Sequence, residues 1–360
     1  MKPNLLFLNS ISIFGGGEIW AVNTIREFVL RGYNVSLVCN KKSTIVNKVN
    51  ETGAAIFPIN ISGDLNPFTI LKLIRIFRKR NINVVIANAG KDIRLSGLAS
   101  KFIKNVKVIA RQGIDYPLKN NLRYRFTYNN LASGIIANSE ATKKTMLKNV
   151  PWLDPDRVKV IYNGINPDLY LASSTKDLRK EIGLTENDFV IGFVGRFSVQ
   201  KGIQYALEAF KIINEKFKNV HLLLCGEGEL KQDIENFIGD NFLQNKIHLL
   251  GFRKDIPDIM RTINVLLTPS LWEGFGLVLI EAMASGKPCV ASRTSSIPEI
   301  INDEENGILV QPQNSESIVE ALDRLISNPG LAQELGENGL KIFHEKFTID
   351  RMIKKYEELL

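Results

Sequence analysis

Two glutamates, Glu273 and Glu281, stand eight positions apart in the run PSLWEGFGLVLIEAMASGKPCVAS at 269–292. A carboxylate among apolar residues is costly unless something meets it. The strand NVLLTPS ends at Ser270, LWEGFG reads as a loop, and a helix begins near Gly276, carrying Glu281 in its second turn. The amides of Phe275, Gly276 and Leu277 then point outward at a positive helix end, a seat for phosphate. Carboxylates repel phosphate but accept sugar hydroxyls, and one of them can take both hydroxyls of a vicinal diol. Taken singly, Glu281 reads equally as a complement to the helix dipole, and Glu273 as a surface loop acid.

Two further loops carry chemistry of the same kind. In IGFVGRFSVQKGIQYALEAF, Gly195 ends a strand, Arg196 and Lys201 flank a short loop, and a helix starts near Gly202. A planar donor fork and a compact ammonium suit a diphosphate; the alternative is two solvated loop cations. In LLFLNSISIFGGGEIW, Gly15, Gly16 and Gly17 follow the first strand and Glu18 opens a helix, which lets a ligand approach the backbone closely. As a dinucleotide fingerprint this loop is poor, because Trp20 takes the place of the third glycine.

The elements that must position these loops are legible. Short β-branched runs alternate with helical-period segments, the pattern of parallel sheets built from βαβ units. Strands are expected at 5–10, 35–39, 55–59, 84–88, 106–111, 134–138 and 158–161, with helices at 17–31, 66–80, 91–103, 122–132 and 139–149. A polar, turn-rich stretch follows Asn163-Gly164, and the pattern restarts with strands at 189–195, 220–225, 247–250, 265–268, 289–292 and 307–310. Two doubly wound domains facing across a cleft are therefore expected: 1–165, a linker at 166–188, 189–345, and a C-terminal helical segment at 346–360. Ligands in such sheets bind beyond the carboxyl ends of the strands, where all three loops lie.

Bulk properties narrow the class. The 360 residues suit two domains, and 44% hydrophobic with 23% charged residues is ordinary globular composition. No apolar run approaches the roughly 18 residues of a membrane-spanning helix. LLFL is too short for a signal-peptide core, so a cytoplasmic protein is expected. The three cysteines, Cys39, Cys225 and Cys289, lie in apolar runs without metal-ligand spacing and read as buried thiols. The net charge of +8 is uneven: residues 1–165 hold 25 Lys+Arg against 9 Asp+Glu, and the remainder 21 against 29. A basic half reads either as a solvated lysine-rich surface or as a half that meets something anionic.

The conjunction of these features closely resembles the retaining glycosyltransferases of family 4, nearly end to end. The GGGE loop, ANSEATKKTM (137–146), VIYNGINPDLY (160–170), FVGRFSVQKG, LLLCGEGEL (222–230), LLGFRKDIPDIM (249–260), the paired-glutamate run, IPEI (297–300) and NGILV (306–310) carry the resemblance. It implies a GT-B fold of two Rossmann-like domains, the first for the acceptor and the second for a nucleoside-diphosphate sugar. Arg196 and Lys201 would hold the diphosphate, and Glu273 the sugar. Gly274 to Leu277 would supply backbone donors and Glu281 would bind the ribose. Phe252 and Arg253 would lie near the base, with Gly16 and Gly17 approaching from the first domain and the last helix crossing back to it. No metal or other cofactor is implied, and no paired-aspartate metal motif is present.

There are departures. The histidine that many relatives carry in the N-terminal domain has no counterpart: His221, His248 and His344 are all in the C-terminal half, and the matching region reads VIARQGIDYPLKN. Asp115 and Arg111 are the acceptor-side residues expected there, and the histidine's replacement is Gln112, Asp115 or neither. Ser295 and Ser296 stand where a glycine pair is common, and Asn166 where an aspartate is usual.

The implied reaction moves a sugar to an acceptor hydroxyl with retention of configuration, the departing phosphate helping to deprotonate the acceptor. ILKLIRIFRKR (70–80) joins an apolar face to five cations, and YPLKNNLRYRFTYNN (116–130) mixes cations with aromatics. Both point to an anionic lipid-linked or oligosaccharide acceptor, as in polysaccharide or lipopolysaccharide synthesis, and to peripheral contact with an anionic membrane. Alternatively, 70–80 is a packed helix with a charged outer face. A nucleotide-sugar epimerase of the same architecture or a non-catalytic glycan-binding relative are the alternatives. A dehydrogenase leaves the glutamates unexplained, and a nucleic-acid partner would not need the anion loops.

Overall fold

The computed structural model describes residues 2–11, 15–171 and 178–360. The chain divides into two units, Met1–Asn163 with Ile349–Leu360, and Gly164–Thr348.

The first unit is built on β1 (Leu5–Asn9), β2 (Val35–Asn40), β3 (Ala55–Ile59), β4 (Val84–Ala87), β5 (Lys107–Gln112), β6 (Gly134–Ala137) and β7 (Val158–Val160), ordered β3-β2-β1-β4-β5-β6-β7 and parallel throughout. The inner strands β1, β2, β4 and β6 are largely apolar because helices cover both faces. In β1 the side chains alternate: Leu5 and Phe7 join Trp20, Ile25 and Phe28 on one face, whereas Leu6 and Leu8 join Leu73, Ile74 and Phe77 on the other. Ile349, Met352, Ile353 and Tyr356, at helical spacing on the last helix Ile349–Glu357, complete the first of these cores.

The second unit holds β8 (Phe189–Val194), β9 (Val220–Cys225), β10 (Ile247–Gly251), β11 (Val265–Thr268), β12 (Cys289–Ser292) and β13 (Gly307–Val310), parallel in the order β10-β9-β8-β11-β12-β13. Phe210 and Ile213 of helix Ile203–Lys216 and Leu322 and Leu325 of helix Ser315–Ser327 fill its core. In each sheet the strand order reverses once, between β1 and β4 and between β8 and β11. Loops diverge at such a point and leave a crevice there.

Differences from the sequence expectations are local. The helix expected at 122–132 is a short α-helix, Leu122–Phe126, that widens into a π turn at Thr127–Leu131. The helical tail is two helices, Pro329–Lys346 and Ile349–Glu357, because Phe347 is fully buried and Thr348 bridges to Ile165. Short helices at Ile45–Asn50 and Ile256–Thr262 are too brief for their periodicity to register. Of the stretch 166–188, residues 172–177 lie outside the described residues. The rest forms the helical turns Asp168–Leu171 and Leu178–Glu181 within the second unit. Arg179 fastens the latter, donating to the carbonyls of Thr185, Asp188 and Thr262 and to Asn264 Oδ1.

Candidate active site

At the reversal point of the second sheet, the loops after β8 and β11 meet. After β8 the chain passes Gly195 and Arg196, makes a 3₁₀ turn at Val199–Lys201 and enters helix Ile203–Lys216 through Gly202. Gly202 is needed there: its φ is +65°, and a Cβ would come within 2.0 Å of the Pro269 carbonyl oxygen. That close approach presses the two loops together. Leu271 N–H donates to Gln200 O at 2.8 Å, and Gln200 Nε2 to Trp272 O at 3.1 Å.

Lys201 thereby reaches Glu273, and the two form an ion pair. Glu273 is buried and also accepts from Ser270 Oγ at 2.9 Å. Ser270, itself fully buried, was not singled out by sequence, although it lies two residues past the strand that delivers Glu273. Arg196 is exposed, and among the described residues its guanidinium makes no hydrogen bond or ion pair. Gly276 starts helix Leu277–Ala284 at φ +95°, and its N-cap, a glycine, contributes no side-chain cap. The helix start therefore follows directly on the loop that Lys201 engages through Glu273.

The loop before this helix is fastened from behind. The Phe275 ring is buried, 6.1 Å from the Phe347 ring and edge-on to it, while its carbonyl accepts from Ser296 Oγ at 3.0 Å. Thr294 Oγ1 donates to Leu271 O at 3.0 Å. The serine pair thus has two tasks: Ser295 takes a left-handed backbone, φ +47°, and Ser296 holds the loop. Only the first needs what a glycine offers.

Glu281 lies on the helix as expected, half-buried as a residue, with its carboxyl bonded by the Tyr170 hydroxyl. Burial pushes that carboxyl up to about 7, against a smaller opposing pull from the tyrosine bond. Tyr170 closes VIYNGINPDLY but gave no chemical signal of its own. Asn166 does the work of an aspartate cap, accepting from Asp168 N–H at 2.9 Å. After β10, Phe252 is exposed, and Arg253 is held by Asp255 through two bonds of 2.9 and 2.6 Å and by Glu181 at 3.2 Å.

In the first unit, Gly16 and Gly17 are exposed at the start of helix Gly16–Leu30. Glu18 closes the turn, accepting from Gly15 N–H at 3.0 Å and Asn9 Nδ2 at 3.1 Å. Ser12 to Phe14 of this loop lie outside the described residues. Arg111 is buried: its guanidinium lies 3.6 Å from the Trp20 ring centre, donates to Asn163 Oδ1 at 2.9 Å and bonds the Tyr356 hydroxyl. Gln112 Nε2 donates to Ile114 O at 2.9 Å. Asp115 sits on the loop after β5, with Oδ1 enclosed and without a hydrogen-bond partner. Asp92, also missed by sequence, is wholly buried after β4. It accepts from Ser10 N–H at 3.3 Å, and burial raises its carboxyl to about 6.

Comparison with known proteins agrees with this geometry. The family model for glycosyltransferase family 4 matches residues 14–169, and that for glycosyl transferases group 1 matches residues 174–342. An uncharacterized glycosyltransferase of Methanocaldococcus jannaschii is 38% identical over 252 residues, 67% of this chain; the match spans 65% of that protein, just under two thirds of its length. The UDP-Gal:alpha-D-GlcNAc-diphosphoundecaprenol alpha-1,3-galactosyltransferase of Escherichia coli is 26% identical over 356 residues, covering 93% of this chain and 92% of that one. The crystal structure of Anabaena HepE in complex with UDP superposes with a TM-score of 0.86 at 23% identity, covering 99% of both chains. Two parallel-sheet units with this topology, matched by both models, make the chain a member of the glycosyl transferases group 1, glycosyltransferase family 4, with the GT-B fold.

Proposed function

We propose that the protein is a configuration-retaining glycosyltransferase that moves a sugar from a nucleoside diphosphate to an acceptor hydroxyl. The observation that carries this reading is the Lys201–Glu273 ion pair, which joins the loop after β8, with its exposed Arg196, to the loop that enters the helix at Gly276. Charge builds on the departing diphosphate as the glycosidic bond breaks. Arg196, the remaining Nζ protons of Lys201 and the amides at Gly276 and Leu277 meet that charge, and preorganised donors of this kind are usually the largest catalytic contribution. Glu273, held by Lys201 and Ser270, takes hydroxyls of the donor sugar; Glu281 takes the ribose diol, and exposed Phe252 offers a face to the base. The departing phosphate accepts the acceptor's proton, so no protein nucleophile is assigned. The structure of a relative with UDP bound supports a nucleotide-sugar donor. The test is incubation with a panel of nucleotide sugars, following slow hydrolysis, with the product's anomeric configuration read by NMR. Cleavage of none of them, or an inverted product, overturns the reading. In this reading the protein's own cations replace a metal, so turnover should survive EDTA unchanged.

The acceptor is an anionic, lipid-linked glycan met at the inner face of the cytoplasmic membrane. The E. coli relative, named for a diphosphoundecaprenol acceptor, supports the chemistry. A surface of the first unit supports the location. Leu65, Phe68 and Leu71 are exposed at the start of helix Pro67–Lys79, beside exposed Lys72 and Arg75. Leu122 and Phe126 are exposed beside Arg123 and Arg125, and Asp64 binds both Arg94 and Arg123, which ties the two segments together. Apolar side chains among cations suit the interface of an anionic bilayer. Sedimentation should show binding to phosphatidylglycerol vesicles over phosphatidylcholine vesicles, weakened in Phe68→Ser/Leu71→Ser; equal binding to both lipids rejects the dock. Among the described residues no helix is long and apolar enough to cross a membrane.

A further inference from the structure

We infer that Tyr170 is a positioning residue for the nucleotide: buried on the turn Asp168–Leu171, its hydroxyl fixes the Glu281 carboxyl that meets the ribose. This rests on the proposed donor site and adds to it a residue that contacts no part of the reacting bond.

The segment that carries Tyr170 is fastened at several points. Ile165 N–H donates to Phe347 O at 3.1 Å, and Ile165 bridges Thr348. Asn166 caps the turn, and Tyr170 N–H closes it on Pro167 O at 2.9 Å. Within Asp168–Leu171, Leu169 and Leu171 face outward, 54% and 60% exposed, whereas Tyr170 turns in and is 8% exposed. Its hydroxyl meets the Glu281 carboxyl, and among the described residues no other hydrogen bond or ion pair engages that carboxyl. An arginine or lysine there would occupy the carboxylate with a strong ion pair. A phenol uses one lone-pair site and leaves the others for a diol.

The surroundings supply no competing charge. The neighbouring thiol, Cys225 at the end of β9, is pushed by burial up to about 11 and stays neutral. Arg253 is closed on Asp255 and Glu181, and Arg261 on Asp258 of helix Ile256–Thr262. On helix Pro329–Lys346, which packs against Glu281's helix, the charged side chains are exposed, and β11 and β12 carry none. Tyr170 is therefore the group that partly offsets burial at the Glu281 carboxyl. With the Glu281 carboxyl near 7, protonation at lower pH removes an acceptor from the diol. Without the hydroxyl, burial acts unopposed and the carboxyl rises further.

The test is calorimetry of UDP, GDP and ADP binding from pH 5.5 to 9 with wild type, Tyr170→Phe and Glu281→Gln. Each nucleotide's own phosphate titrates alike in all three proteins, so differences between them report the site. Wild-type affinity should fall as pH drops through about 7. In Tyr170→Phe, which keeps the ring, that midpoint should move up by about one pH unit, with affinity about fivefold weaker at pH 7 and converging on wild type at pH 9. Glu281→Gln should bind weakly and lose the step. Superimposable profiles for Tyr170→Phe and wild type overturn the inference and leave the donor site standing. Failure of wild type to bind any of the three, or an unchanged profile in Glu281→Gln, overturns the donor-site reading itself.

Discussion

Arg196 and Lys201 are alike in charge but differ in what the fold asks of them, and the difference is measurable. Arg196 is exposed and engages no side chain among the described residues, so the proposed donor site asks of it only a ligand contact. Lys201 neutralises buried Glu273, whose other partner is Ser270. Arg196→Ala should lower kcat by about 10²–10³-fold, the scale of losing one charge-stabilising donor, while leaving the unfolding free energy within about 0.5 kcal/mol of wild type. Lys201→Met should lower kcat as much and also cost about 2 kcal/mol, because a buried carboxylate loses its charged partner. Kinetics with urea unfolding on the two variants separates the roles; equal stability of both would show that Glu273 needs no cation. Glu273→Gln in the Lys201→Met background should recover part of that stability and none of the turnover.

Loops here are held by close approaches that only their residues' backbone freedom permits. Gly202→Ala adds a Cβ within 2.0 Å of the Pro269 carbonyl at φ +65°, so Lys201 and the Glu273 loop must separate. The expected cost exceeds about 2 kcal/mol, from left-handed backbone strain and the clash together. A melting temperature equal to wild type would refute it. Ser295→Gly should do the reverse, adding about 1 kcal/mol by relieving a left-handed serine at φ +47° while Ser296 still fastens Phe275. These elements also mark how far the sequence reaches. Strands such as VVIA and GIIA were legible because burial on both faces leaves them uniformly apolar. The carboxylates and cations of the second unit were legible because such side chains rarely sit by chance in apolar runs. Tyr170, Ser270 and Asp92 were not, because a tyrosine, a serine and an aspartate are ordinary residues until the fold encloses them. Arg111 shows the converse: its position near the family's acceptor-side residues drew attention, yet its guanidinium lies against Trp20 and bonds Asn163 and Tyr356.

Each unit carries a carboxyl that burial raises and whose proton is thereby linked to folding. Burial raises Asp92 in the first unit from 3.8 to about 6 and Glu281 in the second from 4.5 to about 7. Between the unfolded and folded values the native state binds the proton that the unfolded chain has released, so stability falls as pH rises through that window. From pH 5 to pH 8 the loss should be about 1 kcal/mol through Asp92 and about 2 kcal/mol through Glu281. Asp92→Asn and Glu281→Gln stay neutral, so each should flatten the pH dependence of its own unit. Native-state hydrogen exchange reads the units separately: amides of β1 and β4 report the first, and those of β8 and β11 the second. A flattened profile in β8 and β11 for Glu281→Gln, with β1 and β4 following wild type, is the expected result. Steeper loss with rising pH in either variant would mean that the native carboxyl is held ionised, reversing the sign of the linkage. Bound nucleotide should oppose the Glu281 contribution, because a ligand that engages the carboxylate stabilises the ionised form. The slope in the second unit should therefore shrink in saturating UDP while that in the first stays unchanged, and this ties folding linkage to the proposed ribose contact.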